Sequence, residues 1–264
     1  MKTSKRVAAR LAGILLLGTA CGTGGSQAGK EPGPDRLPQG SQRVNLDPAD
    51  FTTKIDNPYW PMEPGTQRTF REVDSGGSVM SVVVTITSKT KRIANGVEAR
   101  VVRDTVRRDG EIVEDTFDWY AQDSKGSVWY LGEDTAEFEN GKITTKEGSF
   151  EAGVDGAMAG IAMPGKPTVG LAYRQEYYKG KAEDNGEVLS LKEMVDVKEG
   201  HFDKVLVTKD WITIEPDVLE YKFYAPGIGP ILALDISGGS GREELVKISQ
   251  VPDGTATGPL GKPD

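Results

Sequence analysis

The chain contains few of the residues on which reactive sites depend. Its 264 residues include one cysteine and one histidine. A single cysteine excludes a disulfide within the chain, and a single histidine excludes any site that needs two. His201 stands between Gly200 and Phe202, which is typical of a turn between strands. No Gly-x-Ser-x-Gly elbow, phosphate-binding loop or dinucleotide fingerprint is present. We therefore expect no catalytic residue of a known motif, no cofactor and no tightly bound metal.

The chain also lacks a hydrophobic run long enough to span a membrane. The apolar run 11–17 is far too short for a bilayer core of about 30 Å. It follows ten residues with four basic side chains and no acidic one, and the small residues 18–20 come after it. This order is typical of a secretory signal peptide, which we place at residues 1–20.

Residues 17–21, Leu-Gly-Thr-Ala-Cys, resemble the lipobox of bacterial lipoproteins, although Gly18 stands where that family usually has leucine. The resemblance implies cleavage before Cys21 and a diacylglycerol on its sulfur, with palmitate among the acyl chains. Such an anchor holds a protein firmly on a membrane. The implied location is the extracytoplasmic face of the cell membrane, with the protein attached through lipid on Cys21. The alternative is an ordinary signal peptide with a cysteine there by chance.

Basic charge is scarce after the signal. The whole chain has 32 basic and 40 acidic residues, and removal of the signal leaves 28 against 40, a net charge of −12. An acidic surface argues against nucleic acid as a partner and against docking on anionic lipid through basic patches. Residues 21–45 and 252–264 are rich in Gly, Pro and polar residues, so we expect a flexible tether and a disordered tail. A single domain is expected over 46–251.

Helical periodicity is absent as well, whereas hairpin signals recur. Asn-Gly or Asp-Gly occurs at 95–96, 109–110, 140–141, 155–156 and 185–186, and such pairs suit type I′ turns. Alternating segments predict strands at 67–74, 78–88, 90–94, 97–108, 111–122, 127–132, 135–139, 142–147, 172–180, 187–198, 203–212 and 218–224, with two more at 230–235 and 242–249. The fold class predicted is all-β: a large meandering antiparallel sheet, curled like a barrel or arranged as two packed sheets.

Two Trp-Tyr pairs mark the most informative hairpin, 117–132. If Gln122 faces Ser127, Trp119 lies opposite Tyr130, and each face of the hairpin receives one Trp and one Tyr. We expect at least one face to be buried.

The other turn signals also predict pairs. The turn at 140–141 places Phe138 opposite Ile143 and Glu137 opposite Thr144. The turn at 109–110 places Val106 opposite Val113 and Val102 opposite Phe117.

One segment, 147–165, interrupts the regular series of hairpins. Its larger side chains are apolar, so we expect it to pack over a sheet or over an open end of the core. It either caps the core permanently or forms a lid over a ligand pocket. Under the second hypothesis, the candidate ligand-contacting residues are Trp119, Trp129, Phe150, Met158 and Met163.

Two further segments stand out by composition. Residues 55–65 contain three prolines beside Tyr59, Trp60 and Met62, which predicts an apolar plug at one end of the core; the alternative is an aromatic side chain used for binding. Acids crowd the hairpin region, and they form a solvated face, a calcium site or a catalytic carboxylate pair. We favour the solvated face for these acids, which are Asp115, Asp118, Asp123, Glu133, Asp134, Glu137 and Glu139.

Three stretches together resemble a family of bacterial secreted lipoproteins with a single antiparallel β-domain and no assigned activity. They are Ile-Asp-Asn-Pro-Tyr-Trp-Pro with Pro-Gly-Thr at 55–66, the hairpin 118–133, and residues 197–207 followed by Tyr-Ala-Pro-Gly-Ile-Gly at 224–229. The resemblance covers most of 51–235. It implies a membrane-anchored β-domain, and it assigns no functional residue.

The sequence therefore favours a membrane-anchored binding or scaffold module of the cell envelope, for a small amphiphile or an envelope protein. The alternative is a carboxylate-dependent hydrolase acting on envelope glycans. A pocket lined by apolar and aromatic residues favours the first. Two acids about 5–10 Å apart in a cleft favour the second.

Overall fold

The computed structural model describes residues 36–263, so the predicted signal peptide and Cys21 lie outside the described residues. A 3-10 turn (Pro48–Asp50) comes first, capped as the sequence predicts by Asp47, whose Oδ1 accepts a hydrogen bond from the Ala49 N–H. The strands that follow are β1 (Phe51–Thr52), β2 (Thr66–Val73), β3 (Val79–Arg92), β4 (Glu98–Arg108), β5 (Glu111–Asp123), β6 (Val128–Glu139), β7 (Lys142–Thr145), β8 (Phe150–Glu151), β9 (Met158–Met163), β10 (Ala172–Arg174), β11 (Glu176–Tyr177), β12 (Asp184–Val197), β13 (Gly200–Ile212), β14 (Glu215–Ala225), β15 (Gly229–Ser237) and β16 (Arg242–Gln250). No helix among residues 36–263 is long and apolar enough to cross a membrane.

The all-β prediction is confirmed, and the antiparallel sheet is nearly closed into a barrel. The hydrogen-bonded order runs β10-β12-β13-β14-β15-β16-β2-β3-β4-β5-β6-β9-β11. The two end strands, β10 and β11, are consecutive pieces of one segment and are separated only by Gln175. Residues 172–177 therefore join both ends of the sheet.

Gly160 on β9 permits this closure, because a Cβ there would lie 2.2 Å from the Gln175 carbonyl oxygen. The Arg174 side chain strengthens the junction by donating a hydrogen bond to the Ala159 carbonyl.

The predicted turns form where the sequence placed them, with one exception. Asp109, Asn140 and Asp155 all have positive φ and precede a positive-φ glycine, as a type I′ turn requires. Asn185-Gly186 is the exception, because it lies inside β12 and pairs with Trp211 and Asp210. A Cβ on Gly186 would lie 2.9 Å from the Tyr173 ring, so this glycine serves close packing rather than a turn.

The predicted register of the 117–132 hairpin is wrong by one residue. Tyr120 pairs with Tyr130 and Ala121 with Trp129, so Trp119 does not face Tyr130. The cause is a shorter loop, since the Asp123 N–H donates to the Ser127 carbonyl and Gly126 has a φ of +86°.

β-Bulges account for the other differences in register, since each shifts the pairing by one residue. Phe138 pairs with Ile143 as predicted, but Glu137 pairs with Thr145 rather than Thr144. A bulge after Val106 likewise pairs Val106 with Glu114 and Val102 with Asp118, rather than with Val113 and Phe117.

The apolar plug is present at the end of the barrel where β5 turns into β6. Ile55, Trp60 and Met62 are buried. Asn57 fixes the plug, because its side-chain amide donates to the Gly126 and Pro164 carbonyls at 2.9 and 3.1 Å.

The tail differs from its prediction, because residues 252–263 pack on the outer face of the sheet. Arg103 is fully buried there and forms an ion pair with Asp115. Its remaining N–H groups donate to the carbonyls of Ala256, Gly258 and Pro259. A buried guanidinium needs such acceptors, and the tail supplies them. The composition of the tail could not reveal that it packs against Arg103.

The described part of the predicted tether, 36–45, is also held on the domain by hydrogen bonds. The Arg174 N–H donates to the Pro38 carbonyl at 2.7 Å, and its guanidinium donates to the Gly40 and Gln42 carbonyls. Gln39 donates to the Ala172 carbonyl. This segment is therefore held against β10, beside the closure of the sheet.

The segment 147–165 is neither a lid nor a cap over an open end, because it forms part of the wall. β8 and β9 both pair with β6, and Ile161 and Met163 are fully buried. Asp155-Gly156 makes a tight turn between the two strands. Small residues here allow close backbone approach, as Gly160 does beside Gln175.

Candidate functional site

The two tryptophans of the central hairpin lie on the outer face of the sheet. Trp119 is covered by Lys91, whose Nζ stands 3.9 Å from the ring centroid. The Trp129 Nε1–H donates to Asp123 Oδ2 at 2.8 Å, and its ring meets the Phe51 ring edge-on. Both rings are more than nine-tenths buried. The expectation that the hairpin is buried on at least one face is therefore confirmed.

The other three candidate residues lie elsewhere. Phe150 is buried and packs edge-on against Tyr130. Met163 is buried opposite Val128, and half-buried Met158 pairs with Tyr177. The structure does not bring these residues together with the tryptophans.

Trp129 forms part of the wall of a groove beside the plugged end of the barrel. The groove has a volume of about 840 Å³. Three chain segments enclose it: 36–46, 123–129 and 164–171. Its lining comprises Arg36, Leu37, Pro38, Arg43, Val44, Asn45, Leu46, Asp123, Ser124, Lys125, Ser127, Trp129, Pro164, Gly165, Lys166, Thr168 and Leu171.

Backbone contacts give the groove a defined shape. A Cβ on Gly165 would lie 2.3 Å from the Lys125 carbonyl oxygen, so segment 164–171 can approach the 123–127 turn only because of this glycine. The Gly165 N–H also donates to Ser127 Oγ at 3.1 Å. On the opposite side, Arg174 holds segment 36–42 in place.

The groove is basic although the protein is acidic. Arg36, Arg43, Lys125 and Lys166 line it, and all four are exposed. Asp123 is the one acid in the lining, and its carboxylate already accepts hydrogen bonds from Trp129 Nε1 and from the N–H groups of residues 125 and 127. The local charge therefore opposes the net charge of the chain.

An apolar surface lies between these cations. Val169, next in sequence to the lining residue Thr168, is also exposed. Half-buried Leu37, Val44, Leu46 and Leu171 provide the surface inside. The groove thus combines an apolar wall with a cationic rim, which is the pattern that an amphiphile with an anionic headgroup requires.

A second group of polar residues faces the barrel interior. Asp118 on β5 lies directly opposite Glu133 on β6, and both are nearly inaccessible. The Tyr130 hydroxyl donates to Asp118 Oδ1 at 2.9 Å. Burial raises the pKa of Asp118 to about 7, against the opposing effect of that hydrogen bond. Burial and the Asp118 charge raise the pKa of Glu133 well above its usual range.

The sequence-based expectation of a solvated acidic face is therefore wrong for part of the set. Asp115, Asp118 and Glu133 are at most 3% exposed. Asp115 is paired with Arg103 on the outer face, and the other two point inward. The two-residue spacing of Glu114, Thr116 and Asp118 was a signal for a shared face, but it could not show which face was buried.

The space beside Asp118 is small. It has a volume of about 20 Å³, which accommodates about one water molecule. Trp60 and Tyr120 stand on its wall, with ring centroids 5.7 Å apart. Asp118 and Glu133 are thus a carboxylate pair, but they do not face an open cleft.

Comparison with known proteins gives limited matches. No protein-family model matches the chain, and no curated protein matches it. One similar solved structure, from Bacteroides fragilis, is described as a "putative exported protein with YmcC-like fold"; it shares 15% identity over 73% of this chain and 99% of its own, with a TM-score of 0.40. Another, from Parabacteroides distasonis, is described as a "putative lipoprotein"; it shares 10% identity over 72% of this chain and 98% of its own, with a TM-score of 0.39.

Proposed function

We propose that the protein is a lipid-anchored binding module of the bacterial cell envelope, and that its groove holds a small amphiphile with an anionic headgroup. The observation that carries this proposal is the groove itself, an apolar wall rimmed by four cations on a chain of net acidic charge.

The size and lining of the groove suit a ligand. Pockets for small molecules typically have volumes of roughly 300–1,000 Å³ and apolar walls with a few polar groups. The groove, at about 840 Å³, lies within that range. Trp129 contributes the small exposed part of its rigid aromatic ring, and the 36–46 segment contributes aliphatic side chains.

The anchor places the groove near lipid. Only fourteen residues separate Cys21 from Arg36. An extended chain of that length spans at most about 50 Å. With lipid on Cys21, the groove lies within this reach of the membrane surface, and amphiphiles from that surface are its nearest ligands.

A titration with soluble short-chain lipids tests the proposal. Dihexanoyl phosphatidylglycerol is anionic, and dihexanoyl phosphatidylcholine carries the same chains on a zwitterionic headgroup. We expect saturable quenching or enhancement of tryptophan fluorescence, with the anionic lipid at least tenfold tighter. Trp129→Phe should remove most of the signal, because Trp129 lines the groove.

Charge-reversal variants provide the matched control. Arg43→Glu and Lys166→Glu alter exposed side chains in the groove, and each should weaken binding of the anionic lipid at least tenfold. Lys142→Glu makes the same charge change on exposed β7 and should leave binding unchanged. Equal effects of all three variants, or no saturable binding of either lipid, would contradict the proposal. If an envelope protein binds and these variants abolish that binding, the occupant of the groove is that protein rather than an amphiphile.

The second candidate is a carboxylate-dependent hydrolase acting on envelope glycans. The direct pairing of Asp118 with Glu133, together with the raised pKa of Asp118, favours it. The enclosure of both side chains opposes it, because a sugar ring is far larger than the space beside them. Release of soluble fragments from cell-wall glycan, abolished in Asp118→Asn, would support this candidate.

A further inference from the structure

The tail 252–263 meets the outer face of the sheet at a site built from charged side chains. Arg103 on β4 and Asp115 on β5 form an ion pair whose two side chains are inaccessible to solvent. The Thr105 hydroxyl donates to Asp115 Oδ1 at 2.8 Å. The Arg103 guanidinium also lies over the Phe117 ring, 4.6 Å from its centroid. These contacts hold both charged groups in place and leave their other hydrogen-bonding atoms directed at the tail.

The hydrogen bonds from Arg103 and Asp115 to the tail end on backbone atoms. Arg103 Nη1 donates to the Gly258 carbonyl at 2.7 Å, and Nη2 donates to the Pro259 carbonyl at 2.9 Å. Asp115 Oδ2 accepts a hydrogen bond from the Gly261 N–H at 2.6 Å. Hydrogen bonds to charged groups are stronger than those between neutral groups. The site therefore recognises the conformation of the tail backbone rather than its side chains.

Two glycines allow the tail to adopt that conformation. The Lys262 N–H donates to the Pro259 carbonyl at 2.9 Å, so residues 259–262 form a turn. Within this turn Gly261 has a φ of +79°, which favours glycine, and a Cβ there would lie 2.5 Å from the Phe138 ring. A Cβ on Gly258 would lie 2.1 Å from the Lys262 carbonyl oxygen. The segment that fits the site is therefore a Gly-Pro-x-Gly turn.

We infer that the face around Arg103 is a peptide-binding site for a Gly-Pro-x-Gly turn, which the tail fills within its own chain and which the tail of a second copy can fill instead. A second copy is the partner because it carries the matching segment at 258–261. Exchange of an identical segment between copies is a low-cost route to a dimer. The site shares no residue with the groove, so this inference does not depend on the amphiphile.

The tail is suited to exchange because little of it is packed. Ala256 is the one buried residue of 252–263, so release of the tail exposes little apolar surface. Release also opens the Arg103 site to water, which can accept the hydrogen bonds that the tail carbonyls accepted. No donor is then left buried without a partner.

A synthetic peptide of residues 252–263 tests the site. The full chain with Gly258→Ala and Gly261→Ala should release its tail, because both added Cβ atoms clash in the bound conformation. Limited proteolysis should then remove the tail and leave the barrel intact. By fluorescence anisotropy, the labelled peptide should bind this double variant saturably. It should bind the wild type at least tenfold more weakly, because the tethered tail competes at an effective concentration on the order of millimolar.

Variant peptides provide the matched controls. A peptide that carries Gly258→Ala and Gly261→Ala should bind the double variant at least tenfold more weakly than the unmodified peptide. A peptide with Lys262→Ala changes an exposed side chain of the same turn and should bind as well as the unmodified one. Absence of saturable binding to a folded double variant, or equal losses with both altered peptides, would overturn the inference and leave the groove proposal intact.

A mixing experiment tests the second copy as the partner. Arg103→Met keeps the glycines of the tail but lacks the site, whereas the double variant keeps the site but lacks a fitting tail. Each protein alone should be a monomer by light scattering, and an equimolar mixture should form a one-to-one complex. Arg103→Lys, which keeps the charge beside Asp115 but lacks the fork of donors, replaces Arg103→Met if that variant folds poorly. A mixture that stays monomeric would overturn the second copy as the partner.

Discussion

Replacing Asp118 by asparagine should make the protein more stable at high pH than the wild type. Asp118 is buried opposite Glu133, and its pKa is raised to about 7. Asparagine has the same shape and retains the oxygen that accepts the Tyr130 hydroxyl. The substitution therefore removes the ability to ionise with little change in packing.

The magnitude follows from linkage between proton binding and folding. The folded state holds the Asp118 proton more tightly than the unfolded state, whose pKa is about 3.9. The stability that this proton contributes is complete below pH 4 and is lost as the pH rises toward 7. A shift of about three pKa units corresponds to about 4 kcal/mol. The advantage of Asp118→Asn should thus grow by up to that amount between pH 4 and 7, and then level off.

Urea unfolding of both proteins at pH 4, 5, 6, 7 and 8 measures this difference. Asp217→Asn serves as the control, because it makes the same substitution at an exposed position on β14. A difference between Asp118→Asn and wild type that stays constant from pH 4 to 8 would refute the reasoning. It would mean that the Asp118 carboxyl is no harder to ionise in the folded protein than in the unfolded chain.

Three further changes test other parts of the account. Cys21→Ser should move the protein from the membrane fraction to the soluble fraction of lysed cells, and unchanged membrane association would exclude lipid on Cys21. Arg103→Met leaves Asp115 buried without its cation, so the free energy of unfolding measured in urea should fall by about 3–5 kcal/mol. The tail 252–263 should also become accessible to protease, and a tail that stays intact would contradict the packing described. Gly160→Ala forces a Cβ against the Gln175 carbonyl, so amide hydrogen exchange where β9 pairs with β11 should accelerate. Unaltered exchange would show that the junction tolerates the added methyl group.

Local patterns predicted most of the strands and turns, because those features depend on neighbouring residues, but they missed β8 and β9. Asn140-Gly141 forms a turn since both residues adopt positive φ and strands flank it on each side. Asn185-Gly186 has the same local sequence but lies within β12, because the Tyr173 ring, on a different strand, occupies the space above the glycine. Bulges such as the one near Val106 also escaped prediction, because they depend on the packing of both faces of the sheet.

The groove could not be predicted, because its cations are distant in sequence. Arg43 and Lys166 are separated by more than a hundred residues and meet only because the sheet closes near Arg174. The burial of the acids was not predicted for another reason. Glu114 and Asp118 have the spacing of one strand face, and such a face is usually solvated; closure of the barrel places it inside.

A crystal structure of the protein with dihexanoyl phosphatidylglycerol tests the central claim most directly. The account predicts a phosphate within hydrogen-bond distance of Arg43 or Lys166, and an acyl chain along Leu46 and Leu171 toward Trp129. Lipid bound elsewhere, or a groove filled by residues 22–35 of the chain itself, would contradict it.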